Sequence, residues 1–167
     1  MIRRQLLTVL GLSSLLPLAA RAATTAPTTA TPPPATGIVP LRLSDAEWKQ
    51  RLTPMQYDVL RKEGTERAGT SPLNTEKRAG AFHCAGCDLP LFTSKMKYDS
   101  GTGWPSFFTT LPGVFGTKVD NKLFSKRTEY HCARCGGHHG HVFDDGPAPT
   151  GLRYCNNGVA LKFVVAA

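Results

Sequence analysis

Hydrophobic and polar residues along this chain fall into three successive regimes. Over residues 6–18 apolar side chains run almost without a break. Between Leu41 and Gly64 two helix-start signatures follow. Ser44-Asp45-Ala46-Glu47 fits a capping box, in which the serine hydroxyl and the glutamate carboxylate satisfy amides left open in the first turn. Thr53-Pro54-Met55-Gln56 repeats it with proline at the first helical position, and Gly64 supplies a stop after Tyr57, Val59 and Leu60. Beyond Gly64 the pattern turns to β. Strands are predicted over residues 79–83, 89–92, 114–119, 123–131, 142–143, 152–154 and 159–165, punctuated by Gly and Pro clusters. The last of these alternates, with Val159, Leu161, Phe163 and Val165 on one face and Ala160, Lys162 and Val164 on the other. The class is mainly antiparallel β, opened by two short helices.

The first regime is not part of that domain. Arg3 and Arg4 precede the apolar stretch and Ala20-Arg21-Ala22 follows it, the three-part order of an export signal over residues 1–22. Gly11, Ser13, Ser14 and Pro17 make the stretch too short and too interrupted for a stable membrane span. The paired arginines before Gln5-Leu6-Leu7 also resemble a twin-arginine signal, whose pathway exports folded proteins. The expectation is an exported protein, periplasmic in a bacterium. No cysteine lies in this segment, which excludes a lipid anchor on a cysteine there. Residues 23–40 hold Thr, Ala, Pro and Gly with two aliphatics, a composition that builds a spacer rather than a core. The folded domain is then expected over residues 41–167, long enough to bury a core. Of the formal net charge of +8, Arg3, Arg4 and Arg21 contribute three, leaving +5 for the mature chain. Its basic residues are scattered rather than striped, which gives no footprint for nucleic acid. A monomer is expected.

Five cysteines carry the chemistry. Cys84-Ala85-Gly86-Cys87 and Cys132-Ala133-Arg134-Cys135 are both Cys-x-x-Cys, the spacing at which one turn presents two sulfurs to one metal. Two such knuckles complete a closed tetrahedral zinc site that leaves no position for a substrate. A pair of disulfides and a thioredoxin-like redox motif are the alternatives, and the second needs a βαβ setting that the pattern lacks. His83, His131, His138 and His141 adjoin cysteines, but four thiolates already fill the shell.

Cys155 is left over. A lone cysteine is often a small buried hydrophobe. Here Arg153 and the His138/His141 pair could lower its pKa, and a lowered pKa makes a thiol a nucleophile. In Gly136-Gly137-His138-His139-Gly140-His141 the two imidazoles at 138 and 141 can converge on one polar pocket and give up a proton near neutral pH. Trp104, on the loop Gly101-Thr102-Gly103-Trp104, is either a loop anchor or a rigid face for a methyl or sulfur group.

With the first knuckle come three longer motifs. They are Tyr-Asp-Ser-Gly-Thr-Gly-Trp-Pro-Ser-Phe at 98–107, Cys-x-x-Cys-Gly-Gly-His-His-Gly-His-Val-Phe-Asp-Asp-Gly-Pro at 132–147, and Gly-Leu-Arg-Tyr-Cys-x-Asn-Gly at 151–158. Together they resemble the methionine-R-sulfoxide reductases of the B type, in the family's order from about Leu41 to Val165. The resemblance implies two antiparallel sheets (a β-tent), one structural zinc on Cys84, Cys87, Cys132 and Cys135, and Cys155 as nucleophile. It places His138, His141 and Asn157 around the sulfoxide oxygen, His141 as the preferred acid, and Trp104 against the S-methyl group, with Arg153 also at the substrate. It implies repair of oxidised methionine, free or in proteins, through a Cys155 sulfenic acid that a thiol reduces.

Thr102 stands where many members carry a resolving cysteine. With four cysteines on zinc no internal partner remains, so reduction falls to an external thiol, a thioredoxin-like protein or a small molecule. His139 stands where the family often has Leu and Asn156 where it often has Ile or Val; both read as tolerated substitutions, with His139 able to perturb the pocket's electrostatics. Residues 67–80 match least and receive no substrate contact. Two other readings compete: a non-catalytic zinc-ribbon interaction module, which leaves His138, His141, Trp104 and Cys155 without a task, and a general thiol oxidoreductase with reactive knuckles.

Overall fold

In the computed structural model the described residues are 37–122 and 126–166. The export signal and most of the spacer lie outside them. Among the described residues no helix is long and apolar enough to cross a membrane.

Both helices begin where their caps place them. In α1 (Asp45–Arg51) Ser44 Oγ accepts from the Glu47 amide and the Glu47 carboxylate accepts from the Ser44 amide. In α2 (Pro54–Lys62) Thr53 and Gln56 exchange the same two bonds. The stop differs by one residue. Glu63, not Gly64, takes the left-handed conformation at φ 58°, and the Gly64 amide closes the turn onto the Asp58 carbonyl at 3.1 Å. A Cβ at Gly64 would lie 2.0 Å from Asp58 Oδ2, so a larger residue there would have to displace that side chain.

Among the described residues nine strands form two antiparallel sheets. β1 (Gly80–Cys84), β2 (Pro90–Thr93) and β9 (Leu161–Val165) make the smaller, in the order β2-β1-β9. The larger holds β3 (Lys97–Tyr98), β4 (Ser106–Phe107), β5 (Phe115–Asp120), β6 (Arg127–Cys132), β7 (His138–Phe143) and β8 (Arg153–Asn156), in the order β3-β4-β8-β7-β6-β5. Aromatic rings join the sheets. Phe92 of β2 stacks on Phe107 of β4 at 3.9 Å between centroids, and Phe82 of β1 meets the same ring edge-on at 5.0 Å. Such pairs add about 1 kcal/mol each to what their burial contributes.

Two strands differ from the hydrophobic pattern in ways that matter for chemistry. β7 begins at His138, four residues before the aliphatic pair that marked it, because buried histidines occupy strand positions that alternation assigns to hydrophobes. Cys155 lies inside β8, just past the strand predicted over 152–154. β9 starts only at Leu161, after a 3-10 turn over Gly158–Ala160.

Candidate active site and metal centre

The two Cys-x-x-Cys segments fold into the same turn. In the first, the Asp88 amide donates to the Cys84 carbonyl at 2.8 Å and Asp88 has φ 63°. In the second, the Gly136 amide donates to the Cys132 carbonyl at 2.8 Å and Gly136 has φ 68°. The turns face each other, with Sγ atoms 3.7 Å apart for Cys84 and Cys135, 3.5 Å for Cys87 and Cys132, and all four within 4.8 Å. A tetrahedral ion with arms of about 2.3 Å requires sulfurs about 3.8 Å apart, so the cluster fits one. Four such thiols cannot all keep their protons comfortably: hydrogen bonds from Cys132 first, then Cys135 and Cys84, pull Cys87 well below the usual thiol range. α2 lies over the cluster. Leu60 packs closely on Gly137, where a Cβ would come within 2.9 Å of its Cδ2 and 3.3 Å of Cys135 Sγ. Arg51, Arg61 and Arg134 donate to the carbonyls of Gly86, Cys135 and Cys87 at 2.7, 2.9 and 3.2 Å. Three cationic groups thus surround a centre that four thiolates and a divalent ion would leave with two negative charges.

Cys155 is remote from this work. Its Cα is paired with His141 on β7 and Ser106 on β4, so neighbours hold β8 on both sides. At Gly140 a Cβ would lie 1.9 Å from the Cys155 carbonyl oxygen, and glycine is what lets β7 approach so closely. The thiol opens into a pocket of about 160 Å³ walled by Trp104, His141, Phe143, Arg127, Thr65, Gly140, Asn156 and Asn157. Burial pushes its pKa up. The charge of Arg153 and hydrogen bonds from Thr102 and Arg153 act the other way and do not cancel it. A raised pKa means the thiol form prevails at neutral pH and the thiolate gains with rising pH. Alkylation of Cys155 by iodoacetamide is therefore expected to climb up to and beyond pH 9. A plateau below pH 8 would contradict this environment.

His141 Nε2 lies 2.8 Å from Asp120 Oδ2. Burial lowers the imidazole's pKa, and the Asp120 bond offsets this in part. Asp120 also accepts from the Lys122 amide at 2.8 Å and from Arg127 at 2.6 Å, and it stays ionised well below the usual carboxylate range. His138 stands behind His141, ring centroids 5.5 Å apart, and does not itself line the pocket. Its Nδ1 is 2.8 Å from Glu129 Oε1, while the other oxygen of that buried carboxylate meets His131 Nδ1 at 3.1 Å. Burial alone would raise the Glu129 carboxyl; hydrogen bonds from His131 and His138 outweigh it and hold it at about 2. Arg153 is bidentate to Asp145 at 2.8 Å and lies over the Phe143 ring.

Glu66 escaped the sequence reading and ties the site together. Its carboxylate accepts from the amides of Gly158 and Val159 at 2.5 and 3.0 Å, just past Cys155. Its amide donates to Asn157 Oδ1 at 3.0 Å, and its carbonyl accepts from the Trp104 indole N–H at 3.1 Å. Asn157 Nδ2 donates in turn to the His139 carbonyl. The unassigned segment 67–80 supports the Trp104 loop, for the Gly69 amide and Asn74 Nδ2 both donate to the Gly103 carbonyl. None of these carries a signal in sequence, for Glu66 is one acid among Asp58, Glu63 and Glu76.

His139 and Asn156 prove to be partners. Asn156 Oδ1 accepts from Tyr130 Oη at 2.8 Å and faces His139 Nδ1 at 3.2 Å. Burial pushes His139 down to about 3, so it is uncharged at neutral pH, and the expected effect of a charge there on the pocket does not arise.

Comparison with known proteins agrees with the geometry. The SelR domain matches residues 52–165. Over 121 residues the chain is 52% identical to the "Peptide methionine sulfoxide reductase MsrB" of Agrobacterium fabrum, covering 72% of this chain and 90% of that one. The proteins of the same name from Leptospira interrogans and Pseudomonas putida are 51% identical over 121 residues and 54% over 119, covering 72% and 70% of this chain and 92% and 89% of theirs. With both knuckles, the Trp104 loop and Cys155 inside the matched span, the chain belongs to the SelR-domain family of B-type peptide methionine sulfoxide reductases.

Proposed function

We propose that this protein reduces the R epimer of methionine sulfoxide to methionine, with Cys155 as nucleophile. The observation that carries the reading is one thiol set apart from the four-cysteine cluster, on the floor of a small pocket with an indole on one wall and an imidazole on another. The Cys155 thiolate attacks the sulfoxide sulfur while His141, held by Asp120, supplies a proton to the oxygen. The attack joins the two sulfurs; the hydroxyl then passes to Cys155 as that S–S bond and the substrate's S–O bond break, methionine leaves with the electron pair on its sulfur, and Cys155 ends as a sulfenic acid. Sulfur is reduced in the substrate and oxidised in the enzyme. Two equivalents of an external thiol then restore Cys155 and release water and a disulfide, since Thr102 offers no resolving thiol. The donor set of four thiolates favours zinc, whose part is to hold the fold. Trp104 beside Cys155 gives the methyl group an apolar wall opposite the polar side of His141 and Asn157, and that asymmetry selects the epimer.

The test is turnover of separated R and S sulfoxides with dithiothreitol as reductant. Activity is expected with R alone, and Cys155→Ser should lower it by more than about a thousandfold. A zinc-ribbon interaction module would reduce neither epimer.

A further inference from the structure

The pocket over Cys155 has a neighbour. At about 160 Å³ that pocket is smaller than a site for a whole ligand and takes little more than one side chain. A methionine sulfoxide seated in it leaves its main chain at the mouth. Beside it lies a groove of about 610 Å³, and Arg127 and Phe143 line both.

Strand register shows how one leads to the other. His141, opposite Cys155, and Phe143, opposite Arg153, project from the same face of the larger sheet, two residues apart on β7. Thr128, Val142 and Tyr154 are cross-strand partners on the other face, and all three line the groove. Leu152, just before β8, joins them. The groove therefore opens where the strands end. Leu152 is three residues from Cys155, about 10 Å along an extended chain. A substrate leaving the pocket in extended form rounds the sheet's end within two or three residues. A helical segment advances only about 4.5 Å over three residues and falls short.

The groove's floor is apolar. Val142, Phe143, Leu152 and Tyr154 are half-buried, and Val142 and Tyr154 pack on the core from beneath. The charges around it do not choose an occupant. Arg127 is tied to Asp120 at 2.6 Å and Arg153 to Asp145 at 2.8 Å, and the rim carries Lys126 and Asp144, one of each sign. Recognition is left to the floor, which favours a large apolar side chain leaving water.

Building on the reading of Cys155 as the nucleophile, we propose that this groove is a subsite for a large apolar side chain two or three residues from the oxidised methionine. The preferred substrate is then an extended or unfolded stretch of oxidised polypeptide rather than the free amino acid.

The test uses the full-length zinc-loaded protein and soluble Gly/Ser peptides with one methionine R-sulfoxide. A single leucine is placed in turn at each position up to three residues on either side. Leucine two or three residues away on one side is expected to lower KM about tenfold with kcat unchanged, since its burial serves substrate and transition state alike. Leu152→Ala and Val142→Thr should each remove most of that gain. Both should reduce N-acetyl methionine sulfoxide at the wild-type rate, which also reports that they fold. If no leucine position lowers KM, the proposal fails. If the gain survives in both variants, the side chain binds elsewhere and the groove is overturned. A dimer at assay concentration that Val142→Thr dissolves would put a second copy on the floor and overturn it too. Binding of labelled peptides to Cys155→Ser, read by fluorescence anisotropy, separates this proposal from the reading it rests on. Should the wild type reduce no peptide while Cys155→Ser binds the leucine peptide about tenfold more tightly than its Gly/Ser parent, the proposed function fails and the groove stands.

Discussion

Replacing any one of Cys84, Cys87, Cys132 or Cys135 by serine is expected to leave a chain that no longer holds its fold. The two knuckles are separated by 44 intervening residues and meet at one buried point. One is the β1–β2 turn of the smaller sheet and the other the β6–β7 turn of the larger, so the cluster staples sheet to sheet. α2 rests on both through Leu60, Arg61 and the glycines beneath them. Structural zinc in small domains contributes about 10–16 kcal/mol, and a domain's net stability is only about 5–15 kcal/mol. Losing the ion therefore removes most or all of the margin. A chelator strong enough to strip zinc should abolish the near-ultraviolet circular dichroism of the packed aromatic rings and the cooperative thermal transition together. A demetallated protein that melts within a few degrees of the native one would show that the staple is not what holds the sheets.

Glu66→Ala should cost about a hundredfold in turnover, although no atom of Glu66 needs to touch the sulfoxide. Two amides, of Gly158 and Val159, lose their acceptor in a buried place, and each such group costs about 1–3 kcal/mol. The turn that follows Cys155 then relaxes and takes Asn157 with it, while the Trp104 indole loses the fixed carbonyl that orients it. Misplacing a catalytic group by about 1 Å is enough for a hundredfold loss. The fall should appear in kcat more than in KM, because groups around the transferred oxygen are disordered while the pocket's apolar wall remains. Glu66→Gln should recover part of the loss, since one oxygen still accepts while the new NH₂ confronts an N–H. In a Trp48→Phe background, where Trp104 is the only tryptophan, the indole emission should shift in Glu66→Ala and return in Glu66→Gln. Turnover within twofold of wild type in Glu66→Ala would assign the geometry of the site to other groups.

What could be read from sequence was local or spaced. Both capping boxes are signals across three residues, and both helices start where those signals stand. The four-cysteine cluster follows from two identical spacings, and Cys155 stands out by subtraction. The missed parts act at long range. Glu129 reaches back to His138 across neighbouring strands, Asp120 reaches His141 over 21 residues, and Glu66 reaches Gly158 over 92. A single acid in a loop or strand has no periodicity to betray it. The start of β7 was hidden for a related reason: His138 and His139 are buried with Glu129 and Asn156 meeting their Nδ1 atoms, while His139 Nε2 has no partner among the described residues, and hydrophobic alternation cannot see a buried histidine. Position 156 read as an isolated departure, yet it is half of a pair whose other half is His139. Gly140 was readable in principle, since a glycine inside a strand often marks a close backbone approach.

A strand hydrogen-bonded on both edges cannot swing its side chains to a second address. In the proposed cycle Cys155 therefore receives the oxygen and gives it up at one doorway. The oxidised protein and the thiol that recharges the enzyme must visit in turn, each leaving before the other arrives. Such a cycle is paced by departures as well as by chemistry. A reductant at high concentration becomes a rival for the door it was meant to reopen.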